Sequence, residues 1–167
     1  HGADLEQIMI RNDRREISEQ EIQVLLKEKN YFDSRYNPSG NFNNAFISSN
    51  ADIIIDNRTG LMWQRYGNDI CSFRKTKKYV QQCNDDYYAG FNNWRLPGIE
   101  EALTLMEAEK NEKDLHIAPY FSSTHPFIFT SEKRRPGGYW FCDYKQGTIF
   151  WASGTNPGGF GRLCRTI

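Results

Sequence analysis

Glu100 and Glu101 stand side by side at the start of an amphipathic stretch, and carboxylate pairs are common equipment for general acid–base chemistry. Neighbours on a helix diverge by about 100°, however, so these two cannot face each other across a substrate as glycosidase carboxylates do. Asp85-Asp86 lacks the alternating oxygen ligands and the glycine of an EF-hand loop. His116 and His125 sit in no H-E-x-x-H, G-x-S-x-G or cysteine-protease signature, which reads as loop or interface histidines and not as bases or ligands. "NPGGFG" and "RRPGG" have neither a following Lys-Ser/Thr nor G-x-G-x-x-G spacing, so they read as turns. The patterns yield no catalytic set, metal set or cofactor site, and the expectation is a protein that is not an enzyme.

The remaining chemistry-bearing residues are cations and aromatics. Arg74, Lys75, Lys77 and Lys78 share the polar side of one helical stretch, and Lys133, Arg134 and Arg135 crowd a segment ahead of a Gly-Gly turn. Folded onto one face, the two clusters would form a cationic strip for the sulfate or carboxylate groups of a polysaccharide. The competing reading is a solvated face that keeps an aromatic-rich domain in solution. Across the whole chain 21 Lys+Arg balance 21 Asp+Glu, so no global field draws it to nucleic acid or an anionic membrane, and anion binding must be local. Between Lys133 and Gly161 aromatics alternate with Asn/Gly loops, a composition suited to sugars or proteins because aromatic faces stack and amides bond hydroxyls. Strand alternation requires about half of Tyr139, Trp140, Phe150 and Trp151 to fill the core instead.

These residues need elements to hold them. At 167 residues the chain fits one domain with a small appendage. Ile17-Ser18-Glu19-Gln20-Glu21-Ile22 combines a Ser N-cap, a Glu three residues on and a hydrophobic staple, so a helix starts after Ser18 and runs to about residue 29. Residues 1–50 read as an N-terminal arm, docked on a main domain of residues 51–167 by Ile22, Leu25, Leu26, Tyr31, Phe32 and Tyr36. Ile53–Ile55 and Leu61–Gln64, separated by a turn with Asn57 and Gly60, predict a hairpin. Ser72 caps a second helix whose inner face is Thr76, Tyr79, Val80, Cys83 and Tyr87, with Gly90 as its stop; Pro97 opens a third, with Ile99, Ala102, Leu103 and Met106 toward the core. From Pro126 onward, short Phe/Trp/Tyr/Ile runs separated by Gly- and Pro-bearing turns predict an antiparallel meander.

The four cysteines, Cys71, Cys83, Cys142 and Cys164, form no C-x-x-C pair, which argues against a zinc knuckle or thioredoxin-like motif. An even, scattered set fits two disulfides in an exported protein or four buried thiols in a reducing compartment; the first is favoured here. The start without methionine fits a removed leader or longer N-terminus, with His1 and Gly2 as residues left by cloning. No apolar run approaches the roughly 20 residues that span a bilayer, so membrane insertion is not expected.

"DNRTGLMWQ" (Asp56 to Gln64), "AGFNNWRLPGIEEALTLM" (Ala89 to Met106) and the terminal "GRLCR" (Gly161 to Arg165) occur in the order of the Legionella collagen-like adhesin C-terminal domain family, which residues 50–167 resemble. Asn93 stands where that family's pattern has Asp, and "GRLCR" is a looser ending than its V-R-C-V-R. Arg95-Leu96-Pro97 with Glu101 also resembles the formylglycine-generating enzyme and C-type-lectin-like superfamily. The resemblance implies an α+β, C-type-lectin-like fold with two helices packed on twisted antiparallel strands and the termini together. It implies a structural motif of Trp63, Trp94, Arg95, Pro97 and Glu101, in which Trp94 plugs the core, Arg95 pairs with a carboxylate or bonds carbonyls, and Pro97 presets the helix. It further implies a bridge from the helix cysteine Cys83 to the last-strand cysteine Cys164, which leaves Cys71–Cys142 as a second pair. The function it implies is an extracytoplasmic binding or adhesion module for a sulfated or acidic polysaccharide or a protein. The alternatives are a sensor or accessory domain of a larger protein, or an enzyme of the formylglycine-generating type, although that enzyme's cysteine pair has no counterpart here.

Overall fold

The computed structural model describes residues 6–155 and 158–167; His1, Gly2 and the Asn156-Pro157 part of the "NPGGFG" turn lie outside them. Among the described residues the fold is α+β, with three α-helices and two sheets. The helices are α1 (Glu19–Glu28), α2 (Phe73–Asp85) and α3 (Ile99–Leu103). The strands are β1 (Glu16–Ile17), β2 (Phe46–Ser48), β3 (Ile53–Asp56), β4 (Leu61–Gln64), β5 (Asn68–Cys71), β6 (Phe127–Arg134), β7 (Tyr139–Asp143), β8 (Thr148–Ala152), β9 (Gly159–Gly161) and β10 (Cys164–Thr166). One sheet runs β5-β9-β6-β7-β8 with β1 added on β6; the other runs β10-β4-β3-β2.

Local signals produce the helices. Ser18 Oγ accepts from the Glu21 amide at 3.2 Å and Glu21 Oε1 accepts from the Ser18 amide at 3.0 Å, so both halves of the capping box form. Ile17 and Ile22, the two ends of the staple, are buried in one cluster. Ser72 caps α2 through the Lys75 amide. That helix stops at Asp85, short of the expected Gly90, because Asn84 turns the chain: its side chain bonds both the amide and the carbonyl of Trp94, at 2.7 and 2.9 Å. Tyr87 consequently leaves the inner face, at φ 51° and 59% exposed. Pro97 lies before the Gly98 cap of α3, not within the helix; its carbonyl accepts from the Ser131 amide at 2.8 Å and ties the turn to β6. Ile99, Ala102, Leu103 and Met106 are all buried as the spacing predicts, although the α-helix itself ends at Leu103.

Three expectations need correction. The N-terminal arm is part of both sheets, since β1 pairs in parallel with β6 and β2 pairs with β3. The C-terminal meander holds only for β6-β7-β8: β9 crosses back to pair in parallel with β6, and β10 leaves for the other sheet beside β4. Gly158 permits that crossing at φ 87°, where a Cβ would collide with the Cys71 carbonyl. Finally, the bridges Cys83–Cys164 and Cys71–Cys142 do not form, and all four thiols are free. Cys83 packs with Trp94 and Met62, whereas Cys164 packs in the separate cluster that holds Trp63 and Ile99. Cys142 is fully buried on β7, while Cys71 lies at the mouth of α2 against Thr76 Oγ1, 3.2 Å away. Export therefore gains no support from cysteine pairing.

The thiols give a direct check. Alkylation of the native protein should label half-buried Cys71 first and Cys83, Cys142 and Cys164 only on unfolding, with the melting temperature insensitive to reductant. Recovery of a Cys83–Cys164 cross-linked peptide would overturn this assignment.

Candidate functional site

The Trp-Arg-Leu-Pro motif is built into the core. Trp94 is 2% exposed and its Nε1 donates to the Tyr88 carbonyl at 2.8 Å. Arg95 makes the paired, two-pronged contact with Glu101, Nη1 to Oε1 at 2.7 Å and Nη2 to Oε2 at 2.8 Å, while Glu101 Oε1 also accepts from the Gly98 amide at 2.9 Å. Burial works against the Arg95 charge, but its hydrogen bonds to Glu101 and the Cys164 sulfur, with the Glu101 charge, outweigh it and the guanidinium pKa rises. Burial, then the Glu101 charge, holds the Cys164 thiol well above its usual range, which keeps it protonated and unreactive. Trp63, the other aromatic of the motif, is fully buried.

A second network beside it escaped the sequence reading. Arg11 Nε donates to Glu100 Oε2 at 2.7 Å, and its Nη1 and Nη2 donate to the two oxygens of Glu132 at 2.9 and 3.0 Å. Tyr31 Oη donates to Glu100 Oε1 at 3.2 Å. The parity of β6 was the available signal: Ile128, Thr130 and Glu132 share one strand face, and all are buried. His116 and His125 are structural too. His116 stacks on Phe32 and its Nδ1 bonds the Glu107 carbonyl at 2.8 Å; His125 lies between Ser122 and Thr124, and burial followed by the Arg162 charge lowers its pKa. No cluster of three or more His, Cys, Asp or Glu positioned for a metal occurs among the described residues, and none of their helices is long and apolar enough to cross a membrane.

The predicted cations separate. Arg134 bonds Glu19 at 3.3 Å and lies 3.4 Å from the Trp151 ring, and Arg135 bonds Glu21 and the Glu16 carbonyl, so both are engaged with the α1 side. Lys133 goes the other way, with Nζ 5.5 Å from the Tyr139 ring, and Tyr139 stacks on Phe73 of α2 at 4.0 Å. Arg74, Lys75, Lys77 and Lys78 are exposed on α2. Two adjoining cavities meet at Phe73 and Lys77. One, of about 370 Å³, includes Asn12, Arg14, Arg95 and Ser131 among its walls; the other, of about 310 Å³, includes Arg74, Tyr139 and Thr155. Among the described residues neither wall contains a carboxylate, and Arg14 is a cation that no sequence pattern singled out. Lys75 and Lys78 point elsewhere than into this groove. The result is a cationic groove floored by stacked aromatic rings, assembled from Arg14, Arg74, Lys77 and nearby Lys133.

Residues 52–165 match the family model described as the Lcl C-terminal domain. Searches of curated proteins and of solved structures returned no match.

The buried network sets the stability. Arg11→Ala leaves Glu100 and Glu132 without their counter-charge and should cost about 3–5 kcal/mol, a fall of roughly 10 °C or more in a thermal melt. Arg11→Lys should recover only part of it, since an ammonium cannot reproduce the three-point contact. A loss below about 1 kcal/mol would place the network among dispensable surface pairs.

Proposed function

The chain belongs to the Lcl C-terminal domain family, and on that premise we propose that it is a non-enzymatic, extracytoplasmic binding module of adhesin type that holds an acidic or sulfated glycan in the groove beside α2. The observation that carries this reading is the carboxylate-free lining around Arg14, Arg74 and Lys77 in a chain of zero net charge. Phe73 and Tyr139 add apolar ring faces where a sugar backbone would lie, and the guanidinium of Arg14 or Arg74 can grip a sulfate or carboxylate through two N–H donors. The groove is open, as a polymer requires. A C-type-lectin-like arrangement of helices on strands fits the same reading, supported by the approach of residues 7 and 167 to Gly60: Ile167 N–H donates to its carbonyl at 2.9 Å and Gln7 packs over its Cα.

Heparin binding across a salt series tests this. Changing Arg14, Arg74 and Lys77 together to Ser should weaken binding roughly tenfold at low salt, as three exposed contacts of about 0.5 kcal/mol each would. A variant with Lys75, Lys78, Arg134 and Arg135 changed to Ser should bind nearly as the wild type does. Wild-type affinity should fall steeply as the Debye length shrinks below ~10 Å. Equal loss in both variants would reduce the effect to net charge, and no binding at low salt would leave a protein partner as the reading.

A further inference from the structure

We propose that a separate, charge-balanced pocket between α1 and β8 binds a single uncharged sugar ring stacked on Trp151. The pocket encloses about 160 Å³, and its walls include Glu19 and Gln23 of α1, Arg35, Tyr36 and Trp151. Sites for drug-sized ligands run to about 300–1,000 Å³, so this one takes one ring and not a chain.

Trp151 is the carrying observation. Its indole is 42% exposed, unlike its cross-strand neighbour Trp140, which is 2% exposed and bonds the Ile17 carbonyl through Nε1 at 2.9 Å. An exposed indole is usually free to move, yet this one is fixed. The Arg134 guanidinium lies 3.4 Å from its ring and is held in turn by Glu19 at 3.3 Å. On β7's approach Gly138, at φ 92°, lets the backbone close in; a Cβ there would stand 2.8 Å from Trp151 Cε3. Arg134 is not a wall of the pocket, so the guanidinium and the pocket use different parts of the indole. A ring already ordered loses little conformational entropy when a ligand stacks on it.

The polar groups define the ligand class. Glu19 is matched by Arg134; Arg35 lies 3.8 Å from Asp33, bonds the Ile149 carbonyl, and sits 4.7 Å from the Tyr36 ring centre. With each charge answered by a protein partner, the pocket has no requirement for an ionic ligand. What it presents is two aromatic rings, the spare acceptor capacity of a carboxylate and the Gln23 amide, which both donates and accepts. A pyranose matches that set, with an apolar C–H face for the indole and hydroxyls that donate and accept around its rim. A bare aromatic would leave the polar groups unused, and a cation would meet the Arg35 guanidinium.

The pocket is independent of the cationic groove. Ala152 pairs with Tyr139 across β7 and β8, so Trp151, one residue away, projects from the opposite face of the sheet.

The test follows amide and indole N–H signals of the intact protein by NMR during titration with the methyl glycosides of glucose, galactose and mannose and with N-acetylglucosamine. At least one probe should give saturable shifts at millimolar concentration that centre on Gln23, Tyr36 and the Trp151 indole. Gln23→Ala, an exposed change, should weaken that binding roughly fivefold, and Trp151→Ala should abolish it. The Arg14, Arg74 and Lys77 triple variant should retain it in full, which separates this site from the polyanion groove. No saturable shift with any of the four probes, or binding that both Gln23→Ala and Trp151→Ala leave intact, would overturn the proposal.

Discussion

The carboxylate of Glu132 joins three distant parts of the chain. It is wholly buried on β6 and accepts hydrogen bonds from the Ile99 amide at the start of α3, the Arg15 amide ahead of β1 and the Arg11 guanidinium. A buried carboxylate deprived of such partners costs several kcal/mol, so the N-terminal segment, α3 and β6 have to assemble together. Around the same corner Glu100 and Glu101 are answered by Arg11 and Arg95, with the Gly98 amide and the Tyr31 hydroxyl taking up remaining lone pairs. Three carboxylates meet two guanidiniums, and backbone N–H groups supply the difference. The adjacent glutamates that first suggest acid–base chemistry are thereby committed to holding the fold.

The two candidate surfaces descend from strand alternation in β6. Lys133 and Arg134 are consecutive, so the pleat sends one to Tyr139 and the α2 side and the other to Trp151 and the α1 side. On one side the cation joins Arg14, Arg74 and Lys77 with no carboxylate in the groove lining; on the other the carboxylates of α1 neutralise it. Like residues thus acquire unlike roles through which helix they meet.

Much of the framework was legible because its signals are local. The Ser18 box, the Ser72 cap and the turn between β3 and β4 each depend on residues within about a turn or two of one another, and steric and hydrogen-bond rules operate at that range. The family motif added the order of the parts. What stayed hidden depends on distance along the chain. Arg11 meets Glu132 across 121 positions, β9 reaches β6 by a crossover, and Arg14 enters the groove only because β1 pairs beside β6. The cysteines misled for a related reason: even count and wide spacing describe the sequence, but a bridge needs sulfurs brought into one place, and here the core divides them between clusters.

Gly60 lies in the tight turn between β3 and β4 and touches both ends of the described chain, Gln7 through its side chain and Ile167 through its amide. Residues 7 and 167 therefore meet at one corner of the described structure. A short linker joining residues 7 and 167 would close the described segment on itself for circular permutation. New ends then belong at Lys145-Gln146, exposed in the turn between β7 and β8 and outside both groove walls.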